Sequence, residues 1–138
     1  MSRYTLDASV AIKWLIPEES SPQAVRLLAR TNSFLAPDLI YGEVGNVLWK
    51  RARRGEITSQ YAISAFNTFN RLDIEAVASA KMTPLALGLA LSIGCAVYDA
   101  YYLVIAMERE CPLVTADKAL HGLTSKAGLG QFIVLIGA

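Results

Sequence analysis

Apolar residues in this chain come in short runs separated by longer stretches with a helical period. Tyr4-Thr5-Leu6 is a run of strand-formers that ends at Asp7. Immediately afterwards Val10, Ala11, Trp14 and Leu15 fall on one helical face. Ile16-Pro17-Glu18-Glu19-Ser20 reads as a turn, and Ser21-Pro22 as N-cap and first residue of a helix running to about Arg30. Thr31-Asn32-Ser33 predicts a turn, and Phe34-Leu35-Ala36 a short buried strand stopped by Pro37. Asp38 is the expected cap of a helix over 39–54, whose stripe of Leu39, Ile40, Val44, Val47 and Leu48 has the 3.6 period. Gly55 ends it, and Thr58 caps a further helix that buries Tyr61, Ala62, Ala65, Phe66 and Phe69. A strand at 74–77 follows, then a helix over 85–91 started by Thr83-Pro84. Residues 95–98 lead into Asp99 and a mostly apolar helix over 100–109. A strand at 112–115, a short helix opened by Ala116-Asp117 and containing Leu120, and an apolar strand at 131–136 complete the pattern. Strands alternate with helices and no hairpin signal such as Asn-Gly occurs, which predicts a parallel sheet covered by helices on both faces. No repeat, linker or low-complexity segment divides residues 1–138, so a single domain is expected.

Composition narrows the class. With 54% hydrophobic and 18% charged residues the chain is globular and not disordered. A formal net charge of +1 gives no global attraction to nucleic acid, so any such binding must come from a local patch. Cys95 and Cys111 form no CxxC pair and no zinc spacing, and read as buried free thiols of a reducing cytoplasm. Asp7 and Lys13 interrupt the N-terminal apolar run, so no secretory signal is expected. The uncharged stretch 82–98 holds Gly88, Ser92 and Gly94; a buried helix followed by a loop explains it better than a membrane span, which needs about 20 strongly apolar residues.

Four carboxylates interrupt apolar surroundings where a charge is costly. Asp7 and Asp117 lie at strand-to-helix junctions, and Asp99 opens a strongly apolar helix. Glu43 follows Leu39 by four residues and Ile40 by three, so it lies on or beside the buried stripe. Singly, the three Asp residues read as N-caps, and Glu43 as a residue reaching solvent from the stripe's edge. Together, they would cluster at one end of the sheet, the end at which open α/β sheets bind ligands. Clustered carboxylates repel one another unless a cation joins them. Oxygen donors without His or Cys point to Mg2+ or Mn2+, and the lone His121, read as a surface turn residue, excludes a His-rich zinc site. Ions so held can bind and polarise a phosphodiester, generate hydroxide from water and stabilise the leaving oxygen.

The order of these segments resembles the PIN-domain ribonucleases, in particular the VapC toxins of bacterial and archaeal toxin–antitoxin pairs. The resemblance spans nearly the whole chain and is carried by Leu6-Asp7-Ala8-Ser9, Lys13-Trp14 and Pro17-Glu18-Glu19. It continues through Ala36-Pro37-Asp38-Leu39 to Glu43, Asn46 and Leu48, then Arg53-Arg54-Gly55-Glu56, Tyr98-Asp99-Ala100-Tyr101-Tyr102 and Leu113-Val114-Thr115-Ala116-Asp117. It implies a three-layer α/β/α sandwich around a mostly parallel sheet, with a carboxylate pocket for magnesium or manganese. By the same resemblance Asp7, Glu43, Asp99 and Asp117 are the catalytic and metal-binding acids. Asp7 and Asp99 would be the most direct ligands, Asp117 would complete the site, and Glu43 would bind metal or orient the attacking water. Ser9, Asn46 and Thr115 match polar positions that would hydrogen-bond the acids or a water.

Lys50, Arg51, Arg53 and Arg54 cluster at the end of the Glu43 helix. They read either as an RNA-phosphate rail or as cations that offset the helix macrodipole. Lys50, seven residues from Glu43 on the same face, and Lys13, six after Asp7, are the two that can border the pocket. The resemblance further implies an RNA substrate, a homodimer and a cognate antitoxin that blocks the pocket. Two other classes compete. An aspartyl-phosphate enzyme of the haloacid-dehalogenase type would carry a second Asp where Ser9 stands, and a non-catalytic RNA- or protein-binding module would not need all four acids.

Overall fold

The computed structural model describes residues 2–18, 21–28 and 32–137. Strand β1 (Ser2–Leu6) passes through Asp7 into helix α1 (Ala8–Leu15), and α2 (Ser21–Arg26) leads to β2 (Asn32–Pro37). Helices α3 (Ile40–Arg53) and α4 (Ser59–Asn70) precede β3 (Ile74–Val77). Helices α5 (Thr83–Ile93) and α6 (Val97–Arg109) precede β4 (Leu113–Thr115), and α7 (Lys118–Lys126) precedes β5 (Ile133–Leu135). Short 3₁₀ turns stand at Ala80–Met82 and Gly130–Phe132.

All the strand pairings are parallel, in the order β3-β2-β1-β4-β5. The chain builds outward from β1 to β2 and β3, then returns through α5 and α6 to place β4 on the other side of β1. The crossovers therefore reverse direction between β1 and β4. In an open parallel sheet the carboxyl ends of two such strands splay apart and leave a crevice. Asp7 follows β1 and Asp117 lies two residues beyond β4, so both acids border that crevice.

Alternation along β2 builds two apolar clusters. Phe34 and Ala36 join Val10, Ile40, Val44 and Phe69, whereas Leu35 joins Met82, Ala86, Tyr101 and Ile105. Helix α6 is buried continuously from Ala100 to Ala106 and contributes to both clusters. Both cysteines are free thiols, with Cys111 buried and Cys95 part-buried. No single described helix is long and apolar enough to cross a membrane. The pair Ala80–Ile93 and Val97–Arg109 reaches that length only across a 108° bend. Gly94, at φ 82° in the left-handed region, ends α5 and makes this turn possible.

Several expectations change. β2 begins at Asn32, because Asn32 and Ser33 pair with Ser2 and Arg3 instead of forming a turn. Helix α2 stops at Arg26, short of the expected end at Arg30, which lies with Thr31 outside the described residues. Asp38 does not cap α3: its Oδ1 accepts from the Ser79 amide at 3.2 Å and from the Ser79 hydroxyl. Helix α6 starts at Val97, so Asp99 lies within its first turn and does not cap it. Tyr61 is exposed and not part of a buried face, although its hydroxyl donates to the Leu15 carbonyl at 2.6 Å. His121 is in α7, half-buried, and not in a surface turn.

Candidate active site

Asp7 is 8% exposed and occupies the N-cap position of α1, yet its side chain does not cap the helix. Instead Oδ2 accepts from Thr115 Oγ1 at 2.5 Å and from Ser9 Oγ at 2.9 Å. Each hydroxyl has one proton, and in this arrangement both go to Asp7. The two oxygens then act as acceptors for the next loop: Ser9 Oγ from the Ala116 amide at 3.0 Å, and Thr115 Oγ1 from the Asp117 amide at 3.1 Å. The Asp7 amide donates to the Val114 carbonyl at 3.2 Å. Thus the ends of β1 and β4 are tied by one small network that fixes Asp7 through Oδ2. Oδ1 accepts no side-chain hydrogen bond among the described residues.

Of the three aspartates, only Asp117 is a hydrogen-bonded cap, with Oδ1 accepting from the Leu120 amide at 3.0 Å. Asp99 is part-buried and makes no side-chain hydrogen bond or ion pair among the described residues. Glu43 projects from the first turn of α3, and its Oε1 accepts from the Tyr102 hydroxyl of α6 at 2.5 Å.

Electrostatics join the four acids into one group. Burial pushes the Asp7 carboxyl up from its ordinary 3.8. The hydroxyls of Thr115 and Ser9 and the Ser9 amide pull the other way, and the charge of Asp117 adds to the rise. Burial, then the charges of Asp7 and Asp117, push Asp99 up to about 6. Burial also raises Glu43 above its ordinary 4.5; the Tyr102 bond opposes this, and the charges of Asp7 and Asp99 reinforce it. Each ion pair among the described residues lies elsewhere, so no side-chain cation there answers these charges. An all-oxygen, anionic donor set without a basic partner fits a hard divalent cation. The cage is not closed, however: among the described residues no three His, Cys, Asp or Glu side chains are grouped so as to hold one ion together.

The family model of the PIN domain matches residues 4–125. The chain belongs to the PIN-domain family. Ribonuclease VapC3 of Pyrobaculum aerophilum is 34% identical over 122 residues, which are 86% of this chain and 92% of that protein. Among solved structures, PAE2754 from Pyrobaculum aerophilum superposes with a TM-score of 0.68 at 23% identity, covering 88% of this chain and 79% of that one. VapBC2 from Rickettsia felis, bound to a DNA fragment from its promoter, gives 0.65 at 14% identity, with 97% and 98% covered. A toxin–antitoxin complex from Klebsiella pneumoniae gives 0.61 at 16% identity, with 95% of each chain covered. These structures share the α/β fold with its central parallel sheet.

In this PIN domain Ser9 and Thr115 meet Asp7 as described, whereas Asn46 is exposed and makes no side-chain hydrogen bond among the described residues. The basic positions divide. Lys13 and Arg51 both bind Glu18, at 3.0 and 2.6 Å, which joins α1, the following turn and α3. Burial raises the Glu18 carboxyl, but the bonds from Lys13 and Arg51 outweigh it and hold the group below its ordinary value. Arg51 also lies 3.5 Å from Glu56, and Arg54 lies 3.8 Å from the same carboxylate. Arg53 stacks over the Trp49 ring at 5.1 Å. Lys50 is exposed and forms no ion pair among the described residues. The residue that sequence reasoning missed is Tyr102. The signal was a tyrosine inside a buried apolar helix, where a phenol needs a partner.

Proposed function

We propose that this chain is a metal-dependent endoribonuclease and the toxin of a toxin–antitoxin pair, acting on RNA in the cytoplasm. The observation that carries the reading is the group formed by Asp7, Glu43, Asp99 and Asp117. These acids sense one another's charge at the carboxyl edge of the sheet, and no basic side chain among the described residues neutralises them. The name of the 34% identical relative, a ribonuclease, supports the same chemistry. A bound Mg2+ or Mn2+ would supply Lewis-acid polarisation of a phosphodiester and would lower the pKa of water so that hydroxide is available to attack near neutral pH.

The side chains have distinct tasks in this reading. Asp7, held through Oδ2, offers Oδ1 as a ligand, and Asp99, without any hydrogen bond of its own among the described residues, is the second. Asp117, partly occupied in capping α7, completes the site from its remaining oxygen. Glu43 holds the metal or takes the proton of the attacking water. Water adds to phosphorus, the P–O bond to the leaving strand breaks, and that oxygen is protonated. Lys50, exposed and without an ion pair among the described residues, would meet a flanking phosphate.

Partner surfaces are available. Trp49 and Ile63 border an apolar groove between α3 and α4, and Leu85, Leu87 and Leu91 stand exposed on α5. Surfaces of this kind suit an antitoxin segment and a second copy of the chain. The test is cleavage of total cellular RNA by purified, antitoxin-free protein with Mg2+, Mn2+ or chelator, beside Asp7→Asn. Discrete fragments that require the metal and vanish in the variant are expected. RNA binding without metal and without cleavage would make this a binding module instead.

A further inference from the structure

Tyr102 is 1% exposed and packs in the main apolar cluster beside Leu103 and Ala106. A phenylalanine would fill the same space without desolvating a hydroxyl, which costs free energy unless a partner is found. The partner is Glu43, whose Oε1 accepts that hydroxyl at 2.5 Å across 59 positions of sequence. Tyr102 follows Asp99 by three residues, so both lie on one side of α6. Helix α6 thus supplies one acid of the site directly and restrains a second, on α3, through a buried phenol. Oε2 of Glu43 has no hydrogen-bond partner among the described residues.

We infer that Tyr102 is a positioning residue: its hydroxyl holds the Glu43 carboxylate by Oε1 so that Oε2 faces the cation and the attacking water. The inference rests on the carboxylate–metal reading above. A long side chain at the first turn of a helix is otherwise free to swing between rotamers. A ring locked in a close-packed core is a rigid post for one of its oxygens. Groups that orient a metal-binding carboxylate from behind contribute strongly to affinity.

The test uses the full chain as wild type, Tyr102→Phe, Glu43→Gln and the double variant. Mn2+ affinity is measured by titration calorimetry without RNA, and thermal melting in chelator verifies folding. Tyr102→Phe retains the ring, so melting should stay cooperative while Mn2+ affinity falls about ten- to hundred-fold. In the Glu43→Gln background the same change should have almost no further effect, because there is no carboxylate left to hold. A purely structural tyrosine would lower the melting temperature and leave Mn2+ affinity within twofold of wild type; that result overturns the inference. Losses that multiply in the double variant overturn it too, since Tyr102 would then act independently of Glu43. Wild-type protein that binds no Mn2+ would overturn the metal reading and this inference with it, whereas tight wild-type binding with an unaffected Tyr102→Phe would overturn the inference alone.

Discussion

Asp99→Asn should stabilise the metal-free protein at neutral pH. In the folded chain burial and the charges of Asp7 and Asp117 raise the Asp99 carboxyl to about 6, against 3.8 for an ordinary aspartate. Because the folded pKa is the higher one, the folded state binds the proton more tightly than the unfolded state. The cost of the charge is therefore fully present above about pH 6 and disappears as pH falls towards 3.8. At 1.36 kcal/mol per pH unit the gap corresponds to about 3 kcal/mol. Asp99 is only part-buried, so screening by water reduces this to about 1.5 kcal/mol. Removing an acid from the first turn of α6 also forfeits about 0.5 kcal/mol of favourable interaction with the helix dipole. The net gain for Asp99→Asn is about 1 kcal/mol, or a rise in melting temperature of about 3–4 °C for a domain of this size. About half of the charge cost should be gone at pH 5 and nearly all of it by pH 4. The assay is a set of melts from pH 4 to 8 in chelator, repeated with Mn2+. In Mn2+ the order should reverse, because wild type gains the linkage stabilisation and the variant much less. A variant that melts below wild type in chelator at pH 7.5, or a difference that does not change with pH, would refute this account of Asp99.

Other outcomes follow from neighbouring contacts. Thr115→Val keeps the shape of the side chain but removes the 2.5 Å bond to Asp7, and should cost about 1.5–3 kcal/mol in urea unfolding at pH 7; a loss well under 1 kcal/mol would show the bond to be idle. Phe69→Ala empties a fully buried site between Tyr41 and Phe66 and should cost about 3–5 kcal/mol by the same method, whereas a loss below about 1 kcal/mol would place Phe69 outside the core. Lys50→Ala should reduce the slope of log binding constant against log salt by about 0.7 for a single-stranded RNA; an unchanged slope would remove Lys50 from the RNA surface.

What the sequence revealed follows the range of the interactions involved. The β1–Asp7–α1 junction was legible because a short run of strand-formers gives way to the 3.6 period at Asp7, a purely local signal. The strand-helix alternation was legible for the same reason, and with it the parallel sheet that carries Asp7 and Asp117 to one edge. The cap at Thr58 was also local, its oxygen accepting from the amide of Tyr61 at 3.0 Å. Long-range partners were not legible. Asp38 looks like a cap in the sequence, but Ser79, 41 residues away, takes its carboxylate. Asn32 and Ser33 look like turn residues, but pairing with β1 makes them strand. The Tyr102–Glu43 contact joins side chains 59 positions apart in sequence, which no local pattern encodes. Likewise the cluster of basic residues looks uniform in sequence, whereas Glu18 binds Arg51, together with Lys13 of α1, and Lys50 is left exposed.

Asp7, Glu43, Asp99 and Asp117 are proposed to converge on a divalent ion, although among the described residues no three acids are grouped for one without it. Anomalous diffraction from crystals of the protein grown with Mn2+ tests this most directly. A strong peak is expected in the crevice between β1 and β4, bonded to Asp7 and Asp99 and absent from crystals of Asp7→Asn. A fully loaded crystal with no peak there, or with its only peak at carboxylates outside this group, would contradict it.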